Sequence, residues 1–170
     1  MEREIEGFPG FSILFEDGEI KLLKKGRVLQ PQVEHGSLWW RLNNKLYNPE
    51  TIIEATFPEL HKRDYIYTLY KDVREEERKQ MLTKDILPGI KLTKLWDKNS
   101  YYLETPVWME LAKPFKKMFG GTQIQVTEGN EIRRWREFYF SSTDCMRLVR
   151  QKILDFFEDN PDFLEEPDIY

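Results

Sequence analysis

Two short runs hold the residues best suited to chemistry with a polyanion. In "RRWRE", residues 133–137, Arg133, Arg134 and Arg136 alternate with Trp135, and in "LLKKGR" the cations Lys24, Lys25 and Arg27 crowd one turn. Guanidinium and ammonium groups neutralise phosphates, while an indole face stacks on a base, so this mixture suits nucleic acid. Trp40 of "SLWWRL" adds a second stacking candidate. Each has a plainer reading. Arg133, Arg134 and Arg136 can lie along apolar surface or pair with Glu131 and Glu137, and Lys24, Lys25 and Arg27 can be a solvated corner. "KPFKK" at 113–117 suits a helix C-terminus, where cations complement the dipole.

Catalytic constellations are harder to find. Glu59, His61 and Asp64 lie close enough for a metal site, yet a charged loop beside a helix end explains them equally. The single cysteine, Cys145, sits near a helix start, where a thiol pKa can fall, but also on an apolar stripe, which makes it a buried structural residue. One cysteine and two histidines, His35 and His61, cannot assemble a Cys-based zinc site, a His-rich centre or an intrachain disulfide. There is no phosphate loop, nucleophile elbow or dinucleotide fingerprint. No catalytic residue, metal or cofactor is therefore assigned.

The elements that position these groups follow from periodicity and turn chemistry. From Phe11 to Tyr47 the chain alternates apolar and polar residues between turn signals at Asp17-Gly18, Gly26 and Asn43-Asn44, the pattern of a half-buried antiparallel meander. In "SLWWRL" Trp39 and Trp40 must face opposite sides of one strand, one inward and one exposed. Asn48 caps a helix that opens on Pro49 and Glu50 and ends at Pro58. Further on, "RDYIYTLYKDV" reads as a strand and "REEERKQML" as a helix. "TPVWMELAKPFKKMFGG" reads as a helix capped by Thr105, with Pro106 first, a possible kink at Pro114 and Gly120-Gly121 past its end. A hairpin turning about Glu128-Gly129-Asn130 precedes a last helix started by Ser142 or Thr143 with Asp144, whose stripe is Cys145, Met146, Val149, Ile153, Phe156 and Phe157. The fold class is α+β, ending in α-β-β-α order. The expected parts are residues 4–58, 59–157 and an acidic tail, 158–170.

Charge is unevenly spread along the 170 residues. The net of −4 conceals 7 Lys/Arg against 9 Asp/Glu in residues 1–58, 18 against 14 in 59–150, and 1 against 7 in 151–170. The tail is read as a solvated or loosely docked terminus, or as a segment that mimics phosphate charge. Its Phe163, Leu164, Ile169 and Tyr170 suggest that part of it packs. No apolar run approaches the roughly 20 residues that cross a bilayer, and Met1-Glu2-Arg3-Glu4 leads into polar sequence, so a cytoplasmic location away from membrane is expected.

The stretch "EIEGFPGFSILFEDGEIKLLKKGRVLQPQ…PETIIEATFPE" resembles the nuclease-associated modular motif at the front of phage HNH homing endonucleases. Ile5, Gly7, Phe8, Phe11 and Ile13 match its opening, Gly18 and Ile20 its corner, and Gly26, Leu29 and Pro31 its turn. Gly36, Trp40 and Leu42 match its strand, and Ile52, Ile53, Ala55, Phe57 and Pro58 its closing helix. The resemblance implies a DNA-binding module, usually beside a nuclease. Two departures matter: "NPET" replaces the histidine that usually begins the closing helix, and no histidine follows His61 to build an HNH centre. The expectation is a phage-type, non-catalytic DNA-associated protein. The alternatives are a virion or host-interaction protein that meets a host or phage partner through its acidic, aromatic tail, and a divergent metal-dependent nuclease.

Overall fold

The structure is a computed structural model that describes residues 1–34, 37–77, 80–96, 99–119 and 124–165. The chain divides into two compact units, Met1–Glu77 and Arg78–Tyr170.

In the first unit, β1 (Glu2–Glu4), β2 (Phe11–Glu16), β3 (Glu19–Lys24) and β4 (Arg27–Leu29) form an antiparallel sheet in that order. Its corners are tight because Asp17 (φ 52°) with Gly18 (φ 77°) and Lys25 (φ 48°) with Gly26 (φ 79°) take the left-handed conformation that two-residue hairpins require. A second sheet of β5 (Gln32–Glu34), β6 (Ser37–Leu42) and β7 (Lys45–Tyr47) turns on Asn43 (φ 49°) and Asn44 (φ 66°). The expected single meander is thus two sheets, broken after β4 at Gln30-Pro31, where proline has no N–H to donate to a ladder. Helix α1 (Pro49–Thr56) begins as the sequence implies, with Asn48 Oδ1 accepting from Glu50 N at 2.9 Å.

The stretch "RDYIYTLYKDV" is not a strand. It forms a short 3-10 turn at Lys62–Asp64, then α2 (Ile66–Leu69), and leads into α3 (Val73–Glu77). Tyr and Ile favour strands locally, but the buried residues are Tyr65, Ile66, Tyr70 and Val73, whose spacing is helical. The segment also belongs to the first unit. Thr68 Oγ1 donates to Gly18 O at 2.8 Å on the β2–β3 corner, and Tyr70 Oη donates to the buried carboxylate of Glu50 at 2.7 Å on α1. The division consequently falls after Glu77 rather than after Pro58.

The second unit is an antiparallel sheet in the order β11 (Gln125–Glu128), β12 (Trp135–Ser141), β10 (Ser100–Pro106), β9 (Ile90–Lys94) and β8 (Leu82–Leu87), with α4 (Ala112–Met118) and α5 (Met146–Asp159). Leu92, Tyr101, Leu103, Phe138 and Phe140 point from the sheet into a core closed by Phe115 of α4 and Val149, Ile153 and Phe157 of α5. Phe115 meets Phe140 edge-on at 5.5 Å, a geometry that adds to the area it buries.

Helix α4 starts later than the sequence suggested. Thr105, buried, and Pro106 end β10, and the helix begins at Ala112. Pro114 is then its third residue, where the amide has no intrahelical partner, so the proline fits the first turn instead of kinking an interior. Gly120-Gly121 lie outside the described residues. At the start of α5 the cap position is Cys145, without a side-chain cap bond, while Ser142 Oγ accepts from Asp144 N at 3.1 Å one turn earlier. Cys145 is buried. Past α5, a 3-10 turn at Pro161–Leu164 sets Phe163 against Phe156 at 5.1 Å, so this part of the acidic segment packs; Ile169 and Tyr170 lie outside the described residues. No helix among the described residues is long and apolar enough to cross a membrane.

On the opposite face of this sheet Tyr139 and Tyr102 meet at 5.3 Å, and Tyr139 Oη donates to the Glu137 carboxylate. That hydrogen bond, with burial and the Glu137 charge, pushes the phenol up to about 12 from an ordinary value of 10.0. The folded state therefore keeps a proton that the unfolded chain releases. Its contribution to stability is complete below pH 10 and is lost as pH rises toward 12. Difference absorbance at 295 nm is expected to show one phenolate appearing near pH 12 that Tyr139→Phe removes.

Candidate nucleic-acid interface

The β3–β4 corner lifts three cations off the first unit. Strand register pairs Lys24 directly with Arg27, and Phe11 with Lys24, so both charges share a face with an aromatic ring. Lys24 Nζ stands 5.3 Å from the Phe11 centroid, which holds the ammonium over a π face without neutralising it. Lys25 donates its backbone N–H to Gly10 O at 2.9 Å, fixing the corner while its side chain stays exposed. Lys24, Lys25 and Arg27 are all exposed, and among the described residues none forms an ion pair.

Beside the corner lies a cleft of about 460 Å³. Phe11, Leu22 and Leu29 supply its apolar part, Lys24 and Arg41 its charge, and Gln30, Gln32, Asn43 and Asn44 its amides; among the described residues no carboxylate lines it. Arg41 is oriented by Nε donating to Gln32 Oε1 at 3.1 Å, and remains exposed. Sequence reasoning missed it. The signal was the alternation of β6, which puts Arg41 on the same face as Trp39.

That alternation also settles the tryptophans. Trp40 is 2% exposed in the core of the first unit and has no face to offer a base, so its assignment as a stacking residue is corrected. Trp39, on the other side of the strand, is half-buried.

The arginine run of the second unit divides in the same way. Arg133 and Arg134 are exposed on the β11–β12 turn, whose backbone is fixed by Asn130 Oδ1 accepting from Ile132 N and Arg133 N, each at 3.0 Å. Ile132 at its tip is 92% exposed. Trp135 is half-buried and lies against Gly129: a Cβ there would come within 2.8 Å of the indole Nε1 and 2.1 Å of Arg133 O. Gly129→Ala must therefore open the turn. A cost of about 1–3 kcal/mol is expected, read as a lower urea midpoint with red-shifted tryptophan emission.

Arg136 is committed to its own unit. Nη1 lies 2.8 Å from Glu110 Oε2 and 3.3 Å from Met109 O, and Nε lies 2.8 Å from Glu128 Oε1 but out of hydrogen-bond alignment, an ion pair without a directed bond. With two carboxylates already neutralising it, Arg136 is a clasp between strands and the α4 approach, not a phosphate contact.

No family model, curated protein or solved structure matches the chain.

The likeness of residues 4–58 to the homing-endonuclease module consequently rests on the order of its residues alone. The loop around His61 does not converge on a cation. Glu59 pairs with Arg3 at 2.5 Å, and Asp64 accepts from the backbone of His61 at 2.9 Å. Among the described residues no group of three or more His, Cys, Asp or Glu side chains gathers where a metal could sit.

Proposed function

We propose that this chain is a non-catalytic, phage-type DNA-associated protein working in the cytoplasm of the cell that makes it, with the first unit as its contact surface. The observation that carries the reading is the set Lys24, Lys25 and Arg27: exposed and without ion-pair partners among the described residues, with Lys24 lining a cleft to which no described carboxylate contributes. Arg41 and Trp39 extend that surface, and Arg133 with Arg134 offers a second contact on the other unit.

Overall acidity weighs less than it first suggests. Residues 20–47 hold six Lys/Arg against the single Glu34. At 0.1 M salt, charges more than about 10 Å away are largely screened, so a phosphate at the corner responds first to the charges within that range.

Fluorescence anisotropy with a labelled DNA duplex, titrated between 50 and 300 mM salt, tests the reading. Micromolar binding that weakens linearly on a log–log plot is expected. Absence of binding at the lowest salt overturns it.

A further inference from the structure

The second unit carries a groove that the proposed DNA contact does not use. Lys113, Pro114, Lys117 and Met118 line one side of it from α4, and Phe156, Asn160 and Phe163 line the other from the end of α5 and the 3-10 turn that follows. Its volume is about 680 Å³, larger than the cleft of the first unit.

The groove joins two features seldom left to water together. Phe156 and Phe163 meet at 5.1 Å with their rings only half-buried, and with Met118 and Pro114 they give an apolar floor. Above it Lys113 and Lys117, one helical turn apart, are exposed and have no ion-pair partner among the described residues. Side chains four apart on a helix stand roughly 6 Å from each other, a spacing that two carboxylates of an extended strand can bridge. Among the described residues no carboxylate lines the groove; Asp162 and Glu165, though close in sequence, are not part of it.

From this charge and shape we infer that the groove docks an acidic peptide, one large apolar side chain seating on the floor that Phe156, Phe163 and Met118 form while its acidic neighbours meet Lys113 and Lys117. An apolar floor carries the burial, and the paired lysines select sign and direction. A nucleic-acid backbone fits less well, because methionine and proline take up the space beside the cations where a phosphate would need further donors.

The inference stands or falls independently of DNA binding by the first unit. Anisotropy with the labelled peptide Asp-Asp-Glu-Phe-Leu-Glu-Asp is expected to give a dissociation constant on the order of 10 μM. Two controls are expected not to bind: the same peptide with Lys in place of every acid, and the acidic peptide with Gly-Ser in place of Phe-Leu. Lys113→Gln/Lys117→Gln should weaken binding about tenfold with an unchanged melting temperature, since both residues are exposed. Phe163→Ala should weaken it comparably, and Lys24→Gln/Lys25→Gln should leave it unchanged. The idea is overturned if the acidic anchored peptide fails to bind or if the lysine-bearing one binds as well. It is equally overturned if the double glutamine variant keeps full affinity, or if dodecanoate or an oligo-dT strand displaces the peptide at lower concentration than the unlabelled peptide does.

Discussion

Replacing Lys24, Lys25 and Arg27 together by glutamine flattens the salt dependence of DNA binding. Each phosphate contact releases counterions and contributes about 0.9 to the log–log slope, so losing three lowers it by about 2.7. No comparable loss of stability accompanies this, because all three side chains are exposed and none is ion-paired among the described residues. The sharpest comparison is Arg136→Gln, which removes the same charge from a guanidinium already held by Glu110 and Glu128 at 2.8 Å each. That variant leaves the slope where it was. Equal slopes in the triple variant and the parent protein would take the β3–β4 corner out of the account.

Truncating the two adjacent tryptophans separates core from contact. Trp40→Ala empties a site that is 2% exposed and is expected to cost about 3–5 kcal/mol, read from urea unfolding. Trp39→Ala, on the half-buried face beside Arg41, leaves the unfolding midpoint nearly unchanged and weakens DNA binding by about 1–3 kcal/mol if its ring stacks on a base. A Trp39→Ala protein with undiminished affinity would reduce the surface to its cations.

What could be read in advance followed the strength of local signals. Asp17-Gly18 and Asn43-Asn44 fix their corners through backbone preferences that survive any tertiary setting, and the Asn48-Pro49-Glu50 helix start is equally local. The run 63–73 reads as a strand because Tyr, Ile and Thr favour strands, whereas Tyr65, Ile66, Tyr70 and Val73 are buried at helical spacing, and Thr68 and Tyr70 bond to Gly18 and Glu50, far away in sequence. The start of α4 depended on knowing that β10 runs through Thr105 and Pro106, which is a matter of strand pairing with Arg136 and Trp135. Within the candidate site, alternation showed that one tryptophan of the pair is internal; which one depends on the side that Leu38 and Leu42 bury. Arginines of identical type in "RRWR" divided into exposed and clasped only when Glu110 and Glu128 came beside Arg136.

Lys25 holds a left-handed backbone, φ 48°, at a corner where glycine or asparagine would be at ease. An unbranched side chain there forfeits on the order of 1 kcal/mol. Lys25→Gly should therefore raise the melting temperature of the first unit while surrendering an ammonium group. A chain that could relieve this discomfort with one common replacement, and does not, carries at that position a compromise between robustness and the charge displayed at its apex.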